Sequence, residues 1–223
     1  MTWTRRQLLN PFVRGGASDG DGAGPGQCVR VHAAPMDDGP WKRLLDGAVT
    51  SRYARGKEGL LVRRFFRDRR GGVFVDVGCA APEVGSGTCY LEHHLGWSGL
   101  AIDAEDFSLM WRDARPRSQF VRVRLGEAAD GSRGAGRDGQ TLGRVIEGAG
   151  VGAFDFLSIS VNGVDLRILE GLDLRRHRPR LIKIACVSGQ RVPTREHLRP
   201  LGYSMLLDYR PYDKIHRYFS PEP

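Results

Sequence analysis

Gly72-Val73-Phe74-Val75-Asp76-Val77-Gly78 and, further on, Gly99-Leu100-Ala101-Ile102-Asp103 decide the fold. Each is a short apolar run, the pattern of a strand buried on both faces of a parallel sheet. The first closes on a glycine and the second on an acid. Residues 88–95, between them, have helical spacing, which makes a strand–helix–strand unit. A glycine directly after a strand lets the backbone come close to a ligand. Asp103 lies 25 residues beyond Gly78, and an acid there can accept hydrogen bonds from two ribose hydroxyls. This is the generic arrangement for an adenosine-bearing ligand, although a structural glycine turn and a helix-capping aspartate share it. The loop reads Asp76-Val77-Gly78-Cys79-Ala80-Ala81-Pro82-Glu83-Val84-Gly85-Ser86-Gly87-Thr88. That is not G-x-G-x-x-G, so the dinucleotide fingerprint is absent.

Toward the C-terminus the alternation continues. Residues 107–114 read as a helix that stops before Pro116, and 120–125 as a third strand. Residues 126–139 are rich in glycine and charge and read as a mobile loop. A helix over 141–149, a strand over 154–161, a helix over 165–172, a strand over 181–187 and a helix over 194–201 follow. Residues 203–208 and 217–220 are expected to close the sheet. Strands alternating with helices predict a doubly wound, mostly parallel sheet, whose ligands bind beyond the C-terminal strand ends.

Toward the N-terminus, residues 37–70 read as two helices. Trp41, Leu44, Leu45 and Val49 mark one apolar face, and Leu60, Leu61, Phe65 and Phe66 the other. Arg63, Arg64, Arg67, Arg69 and Arg70 crowd the end of the second helix, where cations suit the macrodipole. A solvated helix end is the expectation, and an anion-binding patch the alternative. Residues 15–26, almost all Gly, Ala, Ser and Asp, read as a flexible linker, and 1–14 as a short docked helix. The chain thus divides into an extension and linker, 1–36, and one α/β domain, 37–223.

The 223 residues suffice for one full core, and no apolar run is long enough to span a membrane. No stretch of signal-peptide type opens the chain, so a cytoplasmic protein is expected. Four cysteines stand at 28, 79, 89 and 186 without C-x-x-C or zinc spacing, which points to reduced, mostly buried thiols and no metal. The net charge is +8, yet only four of the 34 basic residues are lysine. Such arginine excess reflects coding bias, so the charge is no argument for nucleic acid. A positive surface still attracts an acidic partner.

Residues 51–103 closely resemble the FkbM-type family of S-adenosylmethionine (SAM)-dependent O-methyltransferases. The resemblance includes Ser51-Arg52-Tyr53, Phe65-Phe66, Gly72 to Gly78, Ser86-Gly87-Thr88-Cys89-Tyr90-Leu91-Glu92 and Leu95-Gly96-Trp97-Ser98-Gly99-Leu100-Ala101-Ile102-Asp103. It resumes at Asp155-Phe156-Leu157-Ser158-Ile159, Leu169-Glu170-Gly171-Leu172-Asp173 and Tyr218-Phe219-Ser220-Pro221. It implies a Rossmann-like methyltransferase sheet with an antiparallel C-terminal strand and a helical N-terminal extension. By the same resemblance Asp76 and Gly78, with Ser86 and Thr88, hold the methionine end of SAM, and Asp103 holds its ribose.

The acceptor side departs from the family. Where it has acids after the fourth strand, this chain reads Ile159-Ser160-Val161-Asn162-Gly163-Val164-Asp165; where it has glutamate after the fifth, Ala185 stands. Methyl transfer to a hydroxyl needs positioning and removal of a proton. Ser160 and Asn162 can hydrogen-bond a substrate but are poor bases. Glu83 and His93, which flank the cofactor loop, are the leading candidates for a base, ahead of His94, Asp213 and His216. Two functions remain open. One is O-methylation of a small molecule in bacterial secondary metabolism. The other is a methyltransferase fold turned to elimination or ring closure, with a partner subunit or an acidic carrier protein bearing the substrate. A non-catalytic scaffold and an RNA methyltransferase rank below both, and no nucleic-acid or membrane partner is expected.

Overall fold

Seven strands form one sheet: β1 (Val73–Val77), β2 (Ser98–Asp103), β3 (Ser118–Arg122), β4 (Phe156–Ile159), β5 (Leu181–Ala185), β6 (Tyr203–Met205) and β7 (His216–Pro221). The computed structural model describes residues 39–47, 53, 56–126, 140–161, 163–186 and 189–222. The extension and linker expected over 1–36, the loop expected over 126–139 (Gly126 apart) and Asn162 therefore lie outside the described residues.

The strand order is β3-β2-β1-β4-β5-β7-β6. β1 to β5 run parallel, and β7 is antiparallel to both β5 and β6. This is a doubly wound, Rossmann-like sheet, mostly parallel with an antiparallel C-terminal strand. The order reverses between β1 and β4, the switch point at which such sheets bind ligands.

The helices are α1 (Gly39–Asp46), α2 (Glu58–Phe66), α3 (Cys89–Leu95), α4 (Ser108–Ala114), α5 (Leu142–Gly148), α6 (Asp165–Glu170), α7 (Leu174–His177) and α8 (Arg191–Leu198). The longest has nine residues, and helices shorter than about 12–15 residues are marginal alone. Packing on the sheet therefore holds them. On one face Val75, Val77, Leu157, Ile159, Ile182 and Ile184 meet Leu142, Ile146, Ile168, Leu169 and Leu198. On the other, Phe74, Phe156 and Leu181 meet Leu60, Leu61, Phe66, Leu91 and Trp97. The Trp97 indole N–H donates to the Arg69 carbonyl at 2.7 Å, so the largest core ring keeps its polar atom paired.

That second face becomes polar toward the C-terminal strand ends. Phe74, Phe156 and Leu181 share one row; the next same-face row holds Ala101, Asp76, Ser158, Lys183 and Tyr218. One step further, the same register aligns Asp103, Gly78, Ser160, Ala185 and His216. The backbone bonds Gly78 N to Ile102 O, 2.8 Å, and Ser160 N to Val77 O, 2.9 Å, carry the ladder to that row.

Three expectations need correction. The strand expected over 203–208 stops at Met205, because Leu207–Tyr209 turns into a 3₁₀ segment. Between the expected helix at 165–172 and β5 lies the extra turn α7, nucleated by the Asp173 carboxylate accepting from the Arg175 and Arg176 N–H groups. The arginines ending α2 are only partly the solvated end expected: Arg67, Arg69 and Arg70 are exposed, but Arg64 is not. Arg64 is buried and pairs with Asp208 at 2.9 Å, Arg63 pairs with Asp68 at 2.8 Å, and Arg69 with Asp155 at 2.7 Å.

Candidate active site

The loop after β1 is held from beneath. Gly78 has φ +74°, and a Cβ there would lie 2.3 Å from the Ser160 carbonyl oxygen. The missing side chain thus lets β1 and β4 close on each other at the switch point; the close approach is to the chain's own backbone. Ala80 takes φ +52°, unusual for a residue with a side chain. Its N–H donates to Asp103 Oδ2 at 2.9 Å, and its carbonyl accepts from the Trp111 indole at 2.9 Å. Such conformations persist where the surroundings over-determine them.

Arg115 completes the support. Its side chain is fully buried (0%), and Nε meets Glu92 Oε2 at 2.8 Å. Its remaining nitrogens donate to Pro82 O at 2.7 Å, Ser86 Oγ at 3.2 Å and Thr88 Oγ1 at 3.2 Å. Glu92 also accepts from the Arg117 N–H at 2.9 Å and from the Ser118 hydroxyl. The Thr88 hydroxyl donates to Asp76 Oδ2 at 3.0 Å. The side chains of Asp76, Ser86 and Thr88 are therefore buried in an internal network. Those three groups shape the loop from inside, while the side chains of Glu83 and Val84 are exposed on it.

Asp103 is different. It is half-buried, with Oδ2 taking the Ala80 N–H and Oδ1 the Glu105 N–H at 3.0 Å. A carboxylate has about four acceptor sites, so each oxygen keeps one for a ribose hydroxyl. The residues fit the adenosine end of SAM: a partly open acid beside a pre-set turn. They do not offer the Ser86 and Thr88 hydroxyls to the methionine end. Cys79, beneath the turn, is buried; burial, with Asp76 and Asp103 nearby, pushes its thiol far above the ordinary range. Cys79, Cys89 and Cys186 are all buried.

The bases favoured in the sequence do not share one place. Glu83 is exposed on the loop. His93 lies in the last turn of α3 and bonds the carbonyl of Ala114, the end of α4, at 2.9 Å. Both helices run back from the strands' C-terminal edge, so His93 sits at the opposite edge from the rim. His94 stacks on Tyr90, ring centroids 4.5 Å apart. Asp165 is fully buried and accepts from Val161 N at 2.7 Å and Gly163 N at 2.9 Å, which pins the turn after β4.

Ser160 is on the rim, half-buried, and it has a partner the sequence ranked lower. Its Oγ lies 3.2 Å from His216 Nε2. His216 Nδ1 lies 2.9 Å from Asp213 Oδ2. Tyr218 donates its hydroxyl to the same oxygen at 2.7 Å, while Asp213 Oδ1 accepts from the Ile215 and His216 N–H groups at 3.0 and 2.9 Å. Burial pushes the Asp213 carboxyl up, but the His216 contacts and the Tyr218 hydroxyl outweigh it and hold the group far below the usual carboxylate range. Glu58 of α2 stands 3.5 Å from His216 Nδ1, and buried Lys183 of β5 lies 4.0 Å from Glu58.

Glu58, Asp213 and His216 bring their ligand atoms within 4.8 Å of one another, the only such grouping among the described residues. His216 Nδ1 and both Asp213 oxygens are engaged in internal hydrogen bonds, and the Lys183 ammonium stands 4.0 Å from Glu58. Among the described residues no helix is long and apolar enough to cross a membrane.

No protein-family model matches the chain, and no curated protein does. Solved structures resemble it. The METTL16 MTase domain is 14% identical with TM-score 0.47, over 73% of this chain and 64% of that one. Precorrin-6y C5,15-methyltransferase from Geobacter metallireducens GS-15 is 14% identical with TM-score 0.47, over 80% and 95%. A SAM-dependent methyltransferase from Aquifex aeolicus is 14% identical with TM-score 0.43, over 83% and 98%. At this level the likenesses assign neither substrate nor reaction to this chain.

Proposed function

We infer that the protein is a SAM-dependent methyltransferase of the FkbM type with a divergent acceptor side, acting on an oxygen of a small molecule in bacterial secondary metabolism. The observation that carries this reading is the row at the switch point. Asp103, Gly78 and Ser160 align there on three adjacent strands, with a pinned turn between the acid and the acceptor rim.

Asp103 would hold the ribose through its two spare acceptor sites. The backbone of the loop after Gly78 would receive the remainder of the cofactor, its shape preset by Arg115 and Trp111. When bound, SAM supplies an activated methyl group, so the chain's task is to place an acceptor oxygen and move its proton. The pinned loop costs little ordering on binding.

Isothermal titration of the full chain with SAM and S-adenosylhomocysteine tests the reading. Saturable heat that Asp103→Ala reduces at least tenfold in affinity is expected. No heat at high SAM concentration would overturn it in favour of the second reading, a fold redirected to elimination or ring closure. The observation favouring that second reading is the interior use of Ser86 and Thr88.

A further inference from the structure

The geometry points to Ser160, His216 and Asp213 as a proton relay that deprotonates a neutral hydroxyl at the acceptor rim. It rests on the transferase reading for the fate of the oxygen so activated, and it names the substrate class: an alcohol or phenol, rather than an amine or a carboxylate.

The sheet register builds the relay. Ser160 directly follows β4 and His216 begins β7, with Ala185 of β5 between them in the same row. Neighbouring strands stand about 4.8 Å apart, so Ser160 and His216 face each other across two spacings. The methyl side chain of Ala185 leaves that gap open, and the Oγ–Nε2 contact of 3.2 Å closes it. β7, running opposite, enters the row with its first residue.

The chemistry follows from the contacts. Asp213 is ionised, since its pairing outweighs its burial. In the neutral tautomer of His216 with its proton on Nδ1, facing Asp213 Oδ2, Nε2 is an acceptor for the Ser160 hydroxyl. The side chains of His216 and Asp213 are each 8% exposed, whereas Ser160 is half-buried, so Ser160 is the outward end. An acceptor hydroxyl donating to Ser160 Oγ gives up its proton to that oxygen as the serine proton passes to Nε2. With SAM held at the loop after β1, the freed electron pair on the acceptor oxygen would form the bond to the methyl carbon and the carbon–sulfur pair would pass to sulfur. The imidazolium that results is faced by the Asp213 and Glu58 carboxylates, with Lys183 beyond Glu58, the Tyr218 hydroxyl on Asp213, and Arg217 directed at backbone carbonyls. Two carboxylates at the inner end repel an anionic acceptor, and a carboxylate substrate needs no base.

The same three side-chain types serve elsewhere as an acyl-transfer triad, but here the Val161 and Gly163 N–H groups that follow Ser160 both donate to Asp165, so neither is spare to hold an oxyanion.

Two measurements test the relay. The first needs no cofactor: nitrogen NMR of the histidines in the full chain. A downfield proton on Nδ1 of His216, lost in Asp213→Asn, is expected; a proton on Nε2 instead overturns the relay. The second follows transfer of labelled methyl from SAM to phenol, which must be deprotonated, and to thiophenolate, which arrives ionised in mild alkali. Ser160→Ala and His216→Gln should each lower phenol turnover by about 100-fold or more. They should change thiophenolate turnover and SAM binding less than threefold. Ser160→Ala, at a half-buried position, tests the relay even should the histidine variant fail to fold. Equal losses on both probes, or no loss on phenol, overturn the relay while leaving the transferase reading intact, as does loss on chelation that zinc restores. SAM heat without transfer to phenol also counts against it. Absence of SAM heat in the wild-type chain overturns the transferase reading itself.

Discussion

Replacing Gly78 by alanine isolates the contact that closes the switch point. Gly78 and Gly150 have nearly the same backbone, φ +74° and +71°. A Cβ at Gly150 meets nothing within 4 Å, whereas at Gly78 it would lie 2.3 Å from Ser160 O and 2.9 Å from Ser160 C. Both variants incur the left-handed penalty of about 1–2 kcal/mol. Gly78→Ala alone adds an overpacking cost of about 1–3 kcal/mol, because the obstructing atoms are backbone and cannot rotate away. At about 2–4 °C per kcal/mol for a domain of this size, Gly150→Ala should lower the melting temperature by about 2–8 °C and Gly78→Ala by about 4–20 °C. Differential scanning calorimetry of the two variants side by side gives the comparison. A Gly78→Ala loss no greater than that of Gly150→Ala would refute the claim that β1 and β4 meet through this glycine.

Two further outcomes are expected. Arg115→Met, which leaves Glu92 buried without its ion partner, should cost about 3–5 kcal/mol in urea unfolding; a cost under about 1 kcal/mol would contradict the role given to the Arg115–Glu92 pair. The Asp213 carboxyl is depressed in the folded chain, so its stabilisation is present above the unfolded value of about 3.9 and lost as pH falls through the folded one. Asp213→Asn should therefore flatten the decline in stability below about pH 4; parallel acid limbs for the two proteins would contradict this.

Much of the fold is legible in residues 72–103. β1 falls where Val73–Val77 predicts, and β2 begins one residue early, at Ser98. β3 was harder. Its expected span, 120–125, alternates valine with arginine, yet the ladder starts at Ser118 and ends at Arg122, because the pairing with β2 sets the register and an edge strand carries a weak apolar signal. The site was legible only in part. Ser160 and Asp103 stand out as strand ends, which local pattern reveals. His216 does not, because its importance depends on β7 running antiparallel beside Ala185, 56 residues after Ser160. Glu83 and His93 are near the loop along the chain, and helix α3 then carries His93 to the other edge of the sheet. Sequence proximity to a motif is a poor guide once a helix intervenes.

The guanidinium sealed under the loop after β1 has a consequence for motion. Lifting residues 82–88 would strip Arg115 of Pro82, Ser86 and Thr88 at once, leaving it Glu92 alone beside the Trp111 ring. Opening this stretch therefore breaks several buried hydrogen bonds together, which makes it a floor of the crevice and not a hinged flap.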